Sequence, residues 1–181
     1  KEDYLGYLDR TFKRPQLSTF VFEGYIERPG GTYRAAGSKI IYTSHVIRIT
    51  RVFKGDLKPG TVEVAVEGGS LADGTSMTVS HQANIHYGGI FTCSPGKMRS
   101  DTSHFDYPFT NEPLLWLSLM LSYENTQPWP ETAVYHDPSP GIYFKGHEVM
   151  TVLEKAPGYH LRDYRTPEQI AKGMALFQRP P

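Results

Sequence analysis

Between Phe20 and Glu27 the chain alternates: Phe20, Phe22, Gly24 and Ile26 take one parity, Val21, Glu23, Tyr25 and Glu27 the other. This period of two is the mark of a half-buried strand. Ile40–Phe53 is a longer β-branched segment in which Ile41, Ile47, Ile49 and Phe53 share one parity. Arg51 interrupts that inward set, which implies a bulge or a strand leaving the core. The cleanest alternation is Thr61–Glu67, with Val62, Val64 and Val66 facing one way. Turn residues at Gly30–Gly31, Lys54–Gly55–Asp56, Lys58–Pro59–Gly60 and Gly68–Gly69 separate these strands. Ser76–His81 and Gly89–Cys93 read as two weaker strands. About five strands at this spacing predict a mainly β fold, a small antiparallel barrel or sandwich of OB-like form with a C-terminal helix.

The second half is less regular. Residues 94–141 read largely as an irregular excursion, polar and punctuated by Pro128, Pro130, Pro138 and Pro140. Within it, Pro113–Tyr123 is apolar enough for a short buried helix or for a strand. Residues 142–179 are expected to add strands at Gly141–Phe144, Glu148–Glu154 and Tyr159–Tyr164, and then a helix. Thr166–Pro167–Glu168–Gln169 is a capping box with proline at the first helical position. Ile170, Met174 and Phe177 come next on one face, and Pro180–Pro181 stops the helix. The chain is expected to be one β-rich domain over 1–181 with its barrel core in 18–93.

Composition narrows the partners. Lys plus Arg and Asp plus Glu number 19 each, so no net field draws phosphates, and nucleic acid is not an expected partner. The longest apolar run, Leu114–Leu121, falls far short of the ~20 residues a spanning helix requires, so the chain is not expected to cross a membrane. A single cysteine, Cys93, leaves no internal disulfide. It comes after Ile90–Phe91 at a strand end, where a free thiol packs as a small hydrophobe.

The candidate chemistry is sparse. His81 with His86, and Asp101–His104–Asp106, are the closest titratable groupings, and neither has a metal-ligand spacing. His147–Glu148 lacks the second histidine of HExxH. No serine lies in a GxSxG elbow. No glycine pair has nucleotide-loop spacing, so no cofactor and no metal are expected. Trp129, held between Pro128 and Pro130, has little freedom to lose on binding and suits stacking on a sugar or a partner peptide, or plugging the core.

Five marks occur in order: Phe22–Glu23–Gly24; Ile41–Tyr42–Thr43–Ser44–His45; Val52–Phe53–Lys54–Gly55–Asp56–Leu57; Val62–Glu63–Val64 with Glu67–Gly68–Gly69; and Val79–Ser80–His81. In this order they resemble the N-terminal β-domain of large surface proteins of the Bacteroidota, many exported by the type IX pathway. The strand–VFKG–strand order is also similar to OB-type barrels of the netrin and metalloproteinase-inhibitor kind, which rely on disulfides. The first resemblance implies a non-catalytic, secreted or cell-surface module of a larger polypeptide, acting in recognition, adhesion or as a spacer. Its partners would be other domains of that polypeptide or a surface protein or glycan. The Arg179–Pro180–Pro181 ending fits a linker to such domains. Ligand contact, if any, is expected at Tyr42, His45, His81 and Trp129. The alternative is an enzyme or enzyme inhibitor centred on Cys93 or a histidine cluster.

Overall fold

The computed structural model describes residues 3–13, 19–35, 39–79, 88–96, 99–105, 114–124, 134–137, 141–168 and 171. In chain order the elements are α1 (Asp3–Phe12), β1 (Phe20–Ala35), β2 (Ile41–Lys54), β3 (Thr61–Glu67), β4 (Gly69–Ser70), β5 (Ser76–Met77) and β6 (Gly88–Pro95). Then come β7 (Arg99–Phe105), β8 (Leu114–Tyr123), β9 (Val134–Asp137), β10 (Ile142–Lys145), α2 (Gly146–Glu154) and β11 (Arg162–Asp163). Among the described residues no helix is long and apolar enough to cross a membrane.

Five strands close on themselves in the ring β1–β2–β3–β8–β6 and back to β1. The pairings are antiparallel except β3 with β8, which run parallel from Glu63↔Leu114 to Ala65↔Trp116. This is a closed barrel in the ring order of an OB fold, and closure removes the edges an open sheet would expose. The interior holds side chains the alternation marked, Phe22, Ile47, Ile49, Val62, Val64 and Val66, together with Phe91, Cys93 and Met120.

A bulge reshapes β2. Glu23 pairs with Arg51 while Gly24 pairs with Ile49, so Thr50 is the extra residue. An extra residue inverts the parity of every position beyond it on the strand. Ile47 and Ile49 face inward before it and Val52 after it, whereas Phe53 packs in a second cluster outside the barrel. Phe53 therefore does not share the face of Ile47 and Ile49, as simple alternation would have it.

That second cluster covers the outer face of the barrel. Val21, Phe53, Ile90, Leu119, Leu121 and Tyr123 from the barrel pack against Leu8 and Phe12 of α1, Tyr135 of β9, Phe144 of β10, and Val149 and Leu153 of α2. Three expectations change here. The described residues of 94–141 are largely extended rather than irregular, in β7, the closing barrel strand β8, and β9. Glu148–Glu154 is helical rather than extended, because Gly146, Val149 and Leu153 recur at helical spacing on one buried face. Glu148 also accepts a 3.2 Å hydrogen bond from the Lys145 N–H, closing the helix start. Tyr159–Tyr164 contributes only the two-residue β11, which pairs with Arg51 and Val52.

The strap from Ala156 to Arg165 exists because β3 pairs only with Tyr42–Arg48, leaving the far half of β2 with open backbone groups. The His160 N–H donates to Phe53 O at 3.0 Å and the Tyr164 N–H to Thr50 O at 2.8 Å. A helix then starts at Pro167, with Pro167, Glu168 and Ala171 helical. The remainder of the expected C-terminal helix, including Ile170, Met174 and Phe177, lies outside the described residues. Of the expected strand Ser76–His81, the described residues 76–79 are paired at Ser76–Met77, and Ser80 and His81 lie outside the described residues.

Glycines allow the strands of the ring to approach. A Cβ on Gly24 would meet the Arg48 carbonyl, one on Gly88 the Gly24 carbonyl, and one on Gly89 the Leu121 carbonyl. Gly24→Ala is therefore expected to lower stability by about 1–3 kcal/mol through forced backbone displacement. Urea denaturation monitored by tryptophan fluorescence measures this, and an unchanged midpoint would refute the close-approach argument.

Candidate functional site

Of the residues expected to contact a ligand, the two that are described, Tyr42 and His45, do not come together. Tyr42 and His45 lie three apart on a regular stretch of β2 and so point to opposite faces. Tyr42 is 5% exposed on the outer face, between Tyr33 at a ring-centroid distance of 5.9 Å and Trp116 at 5.2 Å. Burial first, and then the charge of Glu67, raises its phenol pKa. Small Ala65, also in this cluster, leaves room for the indole of Trp116 to lie nearly parallel to Tyr42. Trp116 does not stand out in the sequence as an aromatic contact, because it sits within an apolar run broken only by Ser118.

His45 lies opposite Val64 on the interior side of the barrel and is half-buried. Burial lowers its pKa, so it is held neutral. His81, His86 and Trp129 lie outside the described residues. His104 and Asp101 are on β7, paired with Thr32 and Arg34 of β1. His136 stacks on Tyr143 with centroids 4.4 Å apart, and His160 Nε2 lies 2.9 Å from Gly55 O. Among the described residues no three histidine, cysteine or acidic side chains form a group able to hold a metal.

The densest polar chemistry is a cluster that alternation assigns to solvent. Glu23 belongs to the outward set of β1, yet it is fully buried, because the outer layer covers that face. Its Oε1 accepts a 2.5 Å hydrogen bond from Arg51 Nε, and its Oε2 accepts one of 2.6 Å from the Tyr135 hydroxyl. The bulge at Thr50 sets Arg51 opposite Glu23, and the Thr50 hydroxyl secures it by donating to Glu23 O at 3.0 Å. The guanidinium also lies 5.0 Å from the Phe53 ring centroid. Arg51 is 4% exposed.

Charge in this cluster is compensated in place. Burial alone would lower the Arg51 pKa, but the charge and hydrogen bond of Glu23 outweigh it, and Arg51 stays protonated. Burial, reinforced by Glu23, pushes the Tyr123 and Tyr135 phenols well above their ordinary range, so both remain neutral. A second buried carboxylate, Glu63, accepts a 2.5 Å hydrogen bond from Ser44 Oγ, beside Gly31. Cys93 is buried in the barrel interior, and burial raises its thiol far above the range in which a thiolate forms. The chemistry these groups perform is electrostatic: an ion pair and its phenol fix one strand register and one docking of the outer layer.

Both the ion pair and His45 can be tested. Arg51→Met leaves Glu23 buried without its counter-charge and is expected to cost about 3–5 kcal/mol, read from chemical denaturation at pH 7. A loss below about 1 kcal/mol would show the pair to be solvated. For His45, the folded state holds the neutral form, so the unfolded chain binds the extra proton. Its contribution is complete above about pH 6.5 and is lost as pH falls towards the lowered folded value. The drop in denaturation midpoint on acidification below pH 6.5 is expected to shrink in His45→Gln, and an identical pH profile in both proteins would refute it.

No family model, no curated protein and no solved structure matches this chain.

Proposed function

We propose that this chain is a non-catalytic module of an exported cell-surface protein, serving recognition, adhesion or spacing beside other domains of the same polypeptide. The observation that carries this reading is the sequestration of reactive groups. The thiol of Cys93 is enclosed in the barrel, and both oxygens of Glu23 are committed to Arg51 and Tyr135. The marks of the resemblance also hold backbone geometry rather than a site. Gly55, Gly68 and Gly69 have φ of 89°, 108° and 135°, and a Cβ on Gly69 would strike Thr43 Oγ1. A closed barrel with a second core on its outer face suits a domain that transmits force or presents surface.

The OB ring order is the one observation favouring an inhibitor of the netrin type, whose barrels depend on disulfides that a lone Cys93 does not supply. Two measurements separate the readings. Impermeant amine labelling of intact producing cells is expected to modify the protein, and labelling only after lysis would overturn the surface assignment. Native Cys93 is expected to react with iodoacetamide at least about 100-fold more slowly than in urea. Equal rates would place a reactive thiol at the surface and favour the enzyme reading.

A further inference from the structure

We propose that the outer layer of α1, β9, β10 and α2 is a conformational unit that undocks from the barrel on its own, and that the Glu23–Arg51–Tyr135 clasp is its lock. The two cores are distinct: one set of side chains fills the barrel, and another lies between the barrel and this layer. The barrel ring closes without any strand of the layer. β9 joins it through two residue pairs, Ser122↔His136 and Tyr123↔Tyr135. Apolar contact between the layer and the barrel is non-directional and tolerates sliding. The hydroxyl of Tyr135 is directional: it crosses from β9 to a carboxylate on β1 that is itself held by Arg51 of β2. The clasp thus joins three strands, two in the ring and one in the layer.

Opening this unit uncovers an apolar patch of Val21, Ile90, Leu119 and Leu121 while the barrel interior stays sealed. It also brings Glu23 and Arg51 to water as a pair, so the ionic cost of burial is relieved at the moment the apolar contact is lost. Both effects make the layer the lowest-lying opening of the fold, in the manner of cooperative sub-global units.

Native-state hydrogen exchange on the wild type, Tyr135→Phe and Glu23→Gln tests this. In the wild type the helix amides of Met150–Glu154 are expected to exchange at least about 10-fold faster than the slowest amides of β2 and β3 and with a weaker dependence on low urea, the signature of a sub-global opening. In Tyr135→Phe these helix amides are expected to exchange about 10- to 100-fold faster still, the loss of one hydrogen bond to a charged acceptor. Glu23→Gln is expected to accelerate the same helix amides, and β2–β3 amides that exchange through global unfolding accelerate with them, because the clasp is broken in both open states. One common rate and one common urea dependence for α2 and β2–β3 in the wild type, or no acceleration of α2 in Tyr135→Phe, would overturn the proposal. Failure of Tyr135→Phe to fold would overturn it too, since barrel and layer would then be a single cooperative unit.

Discussion

One ion pair governs how this fold is put together. A barrel with a bare outer face needs only one apolar side per strand, and the other can be polar and wet. Here the outer face is covered by helices and a hairpin, so Glu23 on that face is enclosed and requires a counter-charge. Arg51 supplies it, and the two oxygens of Glu23 then divide between a guanidinium and a phenol. A buried pair of this kind adds little stability over a well-packed apolar substitute, but half of it alone is costly. Its consequence is a requirement on register: Arg51 must stand opposite Glu23, and Tyr135 must reach across to it.

That requirement explains the bulge. Without the extra residue at Thr50, Arg51 would keep the parity of Ile47 and Ile49 and point into the barrel interior among Phe22, Val62 and Phe91. With it, Val52 takes the inward position, while Arg51 and Phe53 turn to the outer layer. The insertion at Thr50 thus serves both cores, and a second register shift follows at Phe53. The same distal half of β2 lacks a partner in β3 and is completed by the strap, where Tyr164 and His160 bond to Thr50 and Phe53. Tyr164 also donates from its hydroxyl to Leu57 O at 2.7 Å, tying the corner after β2 to the strap.

The legible parts of the fold are those with one buried face and one period. Val62, Val64 and Val66 are readable because their strand obeys strict alternation, and Phe20–Ile26 is readable for the same reason. The start of the last helix is legible because Thr166 and Pro167 carry a local backbone signal. The illegible parts share a cause: burial on both sides erases periodicity. β8 is apolar at nearly every position because Leu115 and Met120 face the interior while Leu119 and Leu121 face the outer layer. A run without period is equally compatible with a helix. α2 misleads for the converse reason, since its β-branched residues suggest a strand until Val149 and Leu153 are seen to share a face. α1 does carry a helical signal, with Leu5, Leu8 and Phe12 at spacings of three and four, but in a segment of only ten residues.

The candidate site shows the same limit from the side of chemistry. Tyr42 and His45 look like neighbours in a short motif, but a strand sends them to opposite faces, one into an aromatic stack and the other towards the barrel interior. Glu23, by contrast, carries no local sign of importance, for a glutamate at an outward position is the ordinary choice for a solvated strand. Its role depends on Tyr135, 112 residues further on, and no spacing rule connects them. The only warning in the sequence is Arg51, a charge inside a β-branched run, which calls for a partner that alternation cannot name. A misplaced charge of this kind is therefore a statement about a second layer: the face that receives it must be covered, or the residue would have had no reason to leave the pattern.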